Sequence, residues 1–418
     1  MVKLFIIADD FTGALDTGVQ FAAKGAKTLV ITDPYADLSR MRSDVQVLVM
    51  DAETRHLSAK NAHDIVYRAV QQACQLGIPY IYKKTDSALR GNIGAELSAV
   101  LEASGRKFLP FLPAFPLNHR VTRGGVHYIG DIPVASSVFG QDPFEPVTQS
   151  DVCDLIGLQS HIDAVSRLAL RDGDKVTGER GIVVYDAETD EDLRKAARVL
   201  QEQDSLHIMA GCAGFGAVLP ELIGVNNEAE AQVPAMDGNF TVLCGSVNPI
   251  TLAQLEYADH HGFAHIHITP EQKLESGYFA GEEGKKTLED WKNVIADNKL
   301  VIFDANDEGG NAPTSAYAEA HGLTVSDLRE KISATLGSIM KELFHEEGLG
   351  TLLVTGGDTL LQCMNRMGVY EMEPICELYS GVVLSRFTLD RVTRFVISKS
   401  GGFGQPSLLS DMVKKYMS

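Results

Sequence analysis

Four groups of residues in this 418-residue chain have the types and spacing to do chemistry. The first is Asp9-Asp10-Phe11-Thr12-Gly13-Ala14-Leu15-Asp16, directly behind an apolar run, Leu4–Ala8, that reads as a buried strand. One acid can cap the helix that follows. Capping hardly explains Asp9, Asp10 and Asp16 together, and acids at a strand's carboxyl end meet polar ligand groups or a metal. The second group is Lys83-Lys84-Thr85-Asp86-Ser87-Ala88-Leu89-Arg90-Gly91-Asn92, after a strand at Tyr80–Tyr82. Its lysines can hold a carboxylate while Asp86 and the hydroxyls meet substrate OH groups. The plain alternative is a solvated loop with local ion pairs. The third, Asp51-Ala52-Glu53-Thr54-Arg55, adds an arginine able to bind a carboxylate with two parallel hydrogen bonds. Converging from one sheet edge, these three turns point to an anionic, hydroxylated small molecule.

The fourth group is a set of glycine loops: Cys244-Gly245-Ser246-Val247-Asn248-Pro249, Thr355-Gly356-Gly357-Asp358-Thr359 and Lys399-Ser400-Gly401-Gly402-Phe403-Gly404. Glycine permits close backbone approach, and turn amides ahead of a helix bind phosphate. One such loop is an ordinary tight turn; three in one half of the chain point to a nucleotide phosphate site. Other patterns fail. Gly284-Lys285 has Phe279 where a Walker loop needs its first glycine, and Gly211-Cys212-Ala213-Gly214-Phe215-Gly216 does not match a dinucleotide fingerprint in register. His260, His261, His265 and His267 resemble a metal cluster, but no carboxylate stands at ligand spacing, so zinc is not expected. The segment Pro110–Pro116, with Asn118-His119-Arg120, either lines a pocket or is only a Pro-rich connection.

The elements that must position these groups alternate. Strands are expected at Leu4–Ala8, Lys27–Ile31, Val45–Met50, Tyr80–Tyr82 and Phe108–Leu112, with helices over Gly13–Lys24, Ala59–Leu76 and Ile93–Ser104 between them. The rhythm resumes with a strand at Gly181–Tyr185, a helix after Thr189, and a strand at His207–Ala210. Residues 226–239 are polar and read as a linker. A second series follows, with strands at Phe240–Leu243, Ala264–Ile268, Leu300–Phe303 and Thr351–Val354 and helices at Val325–Glu346 and Asp358–Met367. The fold class is therefore α/β: two Rossmann-like α/β domains, 1–228 and 238–418, with mainly parallel sheets and a cleft between them. Lys+Arg total 37 against 56 Asp+Glu, a formal net charge of −19, which argues against nucleic acid or an anionic membrane as partner. Six scattered cysteines, no C-x-x-C pair and no apolar run of membrane length predict a cytoplasmic protein.

The motifs Ala8-Asp9-Asp10-Phe11-Thr12-Gly13-Ala14, Lys83-Lys84-Thr85-Asp86-Ser87 with Arg90-Gly91-Asn92, Pro113-Ala114-Phe115-Pro116, Gly245-Ser246, Gly356-Gly357-Asp358-Thr359 and Lys399-Ser400-Gly401-Gly402-Phe403-Gly404 occur in the order of the four-carbon acid sugar kinase family, which the chain resembles nearly end to end. Asp16-Thr17-Gly18-Val19-Gln20-Phe21 is similar to the branch acting on D-threonate rather than that acting on 3-oxo-tetronate. Thr85, where some relatives carry isoleucine, bears on the choice of acid.

The resemblance implies a sugar-acid-binding N-terminal domain, an ATP-binding C-terminal domain, and phosphoryl transfer to the 4-hydroxyl of a four-carbon sugar acid such as D-threonate. It implies that Asp9, Asp10, Arg55, Lys83, Lys84, Thr85 and Asp86 bind the acid, and that Ser246, Gly356, Gly357, Asp358, Thr359 and Gly402 bind ATP. Asp86 or Asp10 would accept the proton of the 4-hydroxyl, with Asp358 as a rival, and Mg²⁺ would offset the triphosphate charge. The metal ligands stay open. Expected partners are the sugar acid and ATP, with neither nucleic acid nor membrane; a homodimer is compatible with this. The alternatives are a 3-oxo-tetronate or D-erythronate kinase and, from another class, a non-catalytic sugar-acid sensor.

Overall fold

The computed structural model describes residues 1–142, 145–225, 232–236 and 238–417. The chain forms two units, Met1–Ala231 and Gln232–Ser418, each with its own core. Half of the expected linker between them, 226–231 and 237, lies outside the described residues.

The N-terminal unit is built on strands β1 (Leu4–Ala8), β2 (Thr28–Ile31), β3 (Val47–Asp51), β4 (Tyr80–Lys84), β5 (Phe108–Leu112), β6 (Arg120–Arg123), β7 (Val126–Ile129), β8 (Ile132–Pro133), β9 (Ala164–Arg167), β10 (Gly181–Tyr185) and β11 (Ile208–Gly211). Eight of these form one parallel sheet in the order β2-β3-β1-β4-β11-β5-β10-β9. Helices cover both faces, so β1, β2 and β3 are buried along their whole length and read as continuous apolar runs. Helix α1 (Phe11–Ala23) lies on one face; α2 (Ala59–Gln75) and α3 (Ile93–Ser104) pack together on the other. In α2, Ser58 caps the start and Ala62, Val66, Ala69, Val70 and Ala73 make the buried stripe. The small antiparallel sheet β6-β7-β8 follows β5, just past the Pro-rich segment Pro110–Pro116, where no strands are expected.

The C-terminal unit comprises β12 (Phe240–Cys244), β13 (Ala264–His267), β14 (Leu300–Asp304), β15 (Thr351–Thr355), β16 (Glu371–Tyr379), β17 (Val382–Leu389) and β18 (Val392–Lys399), in the order β13-β14-β12-β15-β18-β17-β16. The first five in that order are parallel. β16, β17 and β18 form an antiparallel meander that the alternation of strands and helices does not foretell. Its β17–β18 turn is Asp390-Arg391, with φ of 48° and 70°; a two-residue turn with positive φ at both positions is usually marked by Asn-Gly or Asp-Gly, and here no glycine marks it. Among the described residues no helix is long and apolar enough to cross a membrane, and all six cysteines are free thiols.

Candidate active site

Three strand ends of the N-terminal unit stop at one level. Ala8 on β1 stands opposite both Asp51 on β3 and Lys84 on β4. The chain leaves β1 toward β2 and β3 on one side and leaves β4 toward β5 on the other, which makes the β1/β4 edge the crevice of an open parallel sheet. The acid turn after β1, the arginine turn after β3 and the lysine-rich segment meet there.

β4 runs two residues past Tyr82, and this separates the two lysines, because successive strand side chains alternate faces. Lys84 lies on the α1 face, its Nζ 3.5 Å from Asp9 Oδ1 and 3.8 Å from Asp10 Oδ1. Lys83 lies on the α3 face and is fully buried, its Nζ 3.0 Å from Glu96 Oε2 and donating to the carbonyls of Ile7 and Lys84. Lys83, named by the resemblance among the acid-binding residues, is therefore an interior cation bound to protein groups. Thr85 is likewise buried, its hydroxyl turned to the Gly211 carbonyl at 3.3 Å.

Arg55 is the hub of the cluster. Its Nε donates to Asp9 Oδ2 at 2.8 Å, and its Nη2 lies 2.8 Å from Asp9 Oδ2, 2.8 Å from Asp10 Oδ1 and 3.9 Å from Asp86 Oδ1. Asn92 holds this turn in place, donating to the carbonyls of Thr54 and Leu57 at 2.9 Å each. Asp86 is gripped by the Arg90 guanidinium, Nε to Oδ2 at 2.9 Å and Nη2 to Oδ1 at 3.1 Å, and its Oδ2 also accepts from the amides of Ala88 and Arg90. Asp10 Oδ1 accepts from the Gly13 amide at 3.0 Å and so caps α1. A Cβ on Gly13 would lie 2.1 Å from Lys84 Nζ and 2.5 Å from Asp10 Oδ1, so only glycine lets the lysine reach the helix start.

The ionisation states follow. Burial pushes the Asp86 carboxyl upward, but Arg55, Arg90 and Lys84 outweigh it and hold it far below the usual carboxylate range. Asp9 is lowered in the same contest, burial opposed by Arg55, Lys84 and Lys83. Burial works against the charged forms of Arg55 and Lys84, yet the surrounding aspartates raise both. Asp51 goes the other way: buried, with Glu53 and Asp10 near, it is raised well above the normal value. Arg55, Lys84 and Arg90 thus each face carboxylates, Asp9, Asp10 and Asp86, with Asp142 Oδ2 a further 3.5 Å from Arg90 Nη1, so none of the three cations is left for a substrate carboxylate.

Arg120 supplies a further cation. It stands at the start of β6, its Nη1 donates to Ser87 Oγ, and among the described residues no carboxylate pairs with it. Its guanidinium lies 5.0 Å from the Phe139 ring centroid and that of Arg90 lies 5.4 Å away, so one ring braces two arginines. Arg120, just past Pro116, thus touches the lysine-rich turn through Ser87 and shares the Phe139 ring with Arg90. A cavity of about 450 Å³ opens beside Arg55 and Arg90, lined also by His56, Asn92, Glu145 and Gln159.

In the C-terminal unit, β12, β15 and β18 are adjacent and parallel, so the three glycine loops leave one edge. Ser246 Oγ accepts from the Asn248 amide, and a Cβ on Gly401 would lie 3.1 Å from that oxygen. A Cβ on Gly245 would lie 3.2 Å from Thr359 Oγ1, so the first and second loops touch as well. Gly356, at φ 90°, precedes the helix Gly357–Met367. Thr359 is buried in its first turn, whereas Asp358 is more than half exposed and ion-paired with Arg329. Gly402 faces open space, with no atom within 4 Å of the point a Cβ would occupy. Lys399 Nζ binds Thr251 Oγ1 and the Ser400 carbonyl, and burial lowers it to about 8.

The family model described as a sugar-binding N-terminal domain matches residues 4–219, and that described as a nucleotide-binding C-terminal domain matches residues 241–409. A D-threonate kinase of Salmonella typhimurium is 30% identical over 423 residues, covering 98% of this chain and 97% of its own. The chain belongs to the four-carbon acid sugar kinase family. As a member of that family it is a sugar-acid kinase, and a nucleotide is its phosphoryl donor. A 3-oxo-tetronate kinase of Cupriavidus necator is 26% identical over 98% of this chain and 96% of its own. Among solved structures, a Salmonella typhimurium protein matches with a TM-score of 0.82 at 21% identity, covering 100% of both chains. A Haemophilus influenzae protein matches with a TM-score of 0.77 at 22% identity, covering 99% of this chain and 100% of its own. At those identities the structures speak for the fold alone.

Proposed function

We propose that this kinase transfers the γ-phosphoryl group of ATP to the 4-hydroxyl of D-threonate, giving D-threonate 4-phosphate. The observation that carries the reading is the ion-paired Asp9, Asp10, Arg55, Lys84, Asp86 cluster at one strand edge of the unit matched as sugar-binding. The full-length likeness to a D-threonate kinase supports the choice of acid.

Phosphoryl transfer asks mainly for positioning and charge neutralisation. Arg120 takes the substrate carboxylate, since the other cations of the edge are committed to aspartates. Asp10 aligns the 4-hydroxyl and accepts its proton: Oδ1 is held by Gly13 and Arg55, and Oδ2 has no protein donor among the described residues. Asp86 is a poor proton acceptor, because its charged form is stabilised by two arginines and two amides; it acts as the anchor that fixes Arg55 and Arg90. Ser246, Gly356, Gly357, Thr359 and Gly402 offer amides and hydroxyls to the phosphates. Mg²⁺ keeps several waters and needs only one or two carboxylates besides phosphate oxygens, and Asp358, exposed at the start of its helix, fits that demand. Bound there, the ion would supply charge neutralisation at the triphosphate.

The test is ADP formation with D-threonate, D-erythronate and 3-oxo-tetronate at equal concentration. The reading expects D-threonate to give the highest kcat/KM. Turnover of 3-oxo-tetronate with none of D-threonate would transfer the assignment to the other branch, and acid binding with no turnover of any acid would favour a sensor.

A further inference from the structure

The histidines near residue 265 lack a carboxylate in sequence, but the fold supplies one. β13 and β14 are parallel, with His267 opposite Asp304. His265 and His267, two apart on β13, share a face, and their rings stack with centroids 4.2 Å apart. One ligand atom from each of His265, His267 and Asp304 lies within 4.8 Å of the others. His261 is engaged elsewhere, stacked on Tyr257 and bound to its carbonyl.

We propose that His265, His267 and Asp304 bind a transition-metal dication of the zinc, cobalt or nickel class. Two imidazoles and one carboxylate, with a fourth position left open, suit that class and not Mg²⁺, which prefers an octahedron of oxygens. The site thus differs in kind from any ion carried by the nucleotide, although Asn306 Nδ2 also donates to the Ser246 carbonyl at 3.1 Å and so joins it to the first glycine loop. The spacing agrees: His265 Nε2 is 3.3 Å from Asp304 Oδ2, long for a hydrogen bond. Two donors bound to one tetrahedral zinc stand about 3.3 Å apart. The metal would take the place of the proton shared between them.

The surrounding groups hold the ligands in the required states. Asp304 is buried, and its Oδ1 accepts from the Asn306 amide at 2.9 Å and from Asn306 Nδ2 at 2.7 Å, which turns Oδ2 toward the imidazoles. His267 Nδ1 lies 2.8 Å from the Asn306 carbonyl. A carbonyl only accepts, so Nδ1, which also lies 3.9 Å from Asp304 Oδ2, carries the proton, and the metal would take His267 through Nε2.

The experiment uses the full, untagged chain carrying Cys74→Ser, since Cys74 is the exposed thiol and would compete for zinc. After treatment with a chelator it is titrated with Co²⁺, followed by visible absorption, and with Zn²⁺, followed by calorimetry. One equivalent of each metal should bind, Co²⁺ giving the intense bands of a tetrahedral site. Asn306→Ala should weaken binding about 10-fold, the usual cost of losing an outer partner. His267→Ala, at a partly exposed position and checked for folding by circular dichroism, should weaken it at least as much. Absence of one-to-one binding by the parent protein, or unchanged affinity in His265→Ala/His267→Ala, would overturn the site.

Discussion

Lys83 and Lys84, neighbours in the chain, stand back to back across the N-terminal sheet: one Nζ lies 3.0 Å from Glu96 on the α3 side, the other 3.5 Å from Asp9 on the α1 side. Their substitutions should separate cleanly. Lys83→Met strands Glu96 in the interior and should cost about 3 kcal/mol of stability, with kcat/KM of the folded enzyme changed only slightly. Burial already pushes Glu96 upward, so it can take a proton, and adding Glu96→Gln should restore most of the loss. Lys84→Met should instead lower kcat/KM about 10²-fold. Urea unfolding and steady-state kinetics on the three variants decide it; equal kinetic losses for both lysines would refute the division.

Asp10 and Asp86 divide in the same way. Asparagine caps a helix as well as aspartate, so Asp10→Asn should fold normally while kcat falls by about 10²–10⁴. Asp86→Asn releases Arg55 and Arg90 and should act first on stability and on the KM for the acid. A stable Asp86→Asn enzyme with the larger loss of kcat would exchange the two roles.

Gly402 is the clean probe of the phosphate loop. Nothing lies within 4 Å of a Cβ there and its φ is not left-handed, so Gly402→Val carries no strain. The KM for ATP should rise about 10-fold, with the KM for the acid and the melting temperature unchanged. An unchanged KM for ATP would remove Gly402 from the nucleotide site.

His127 predicts an acid limb of stability. Its Nε2 donates to the Ser87 carbonyl and its Nδ1 accepts from Thr122, and burial lowers it from 6.5 to about 4. The unfolded chain therefore binds a proton that the folded chain refuses between pH 6.5 and 4. The contribution is fully present above pH 6.5 and is lost as pH falls toward 4, amounting to on the order of 3 kcal/mol. His127→Gln should flatten that part of the stability profile; an unaltered slope would show that other groups cause it.

Much of the site was legible in the residue order. Apolar runs ending in Asp9-Asp10 and in the glycine loops marked strand ends, since a strand buried on both faces must be apolar until the chain leaves the sheet. The expected strands and the helices α1, α2 and α3 recur within a few residues of their predicted bounds. Three things were decided only by tertiary structure. The extension of β4 through Lys84 sets which lysine is interior, because strand side chains alternate faces and the two lysines must then part. The commitment of Lys84 and Arg55 to aspartates depends on distances between β1, β3 and β4 that no local pattern carries, whereas Arg90 and Asp86, four positions apart, pair within one segment. Asp304 joins His265 and His267 only because β14 pairs with β13 in one register, a contact between residues 37 positions or more apart in the chain. Local sequence dictates where the chain turns and what it offers there; which offers meet is a property of strand order.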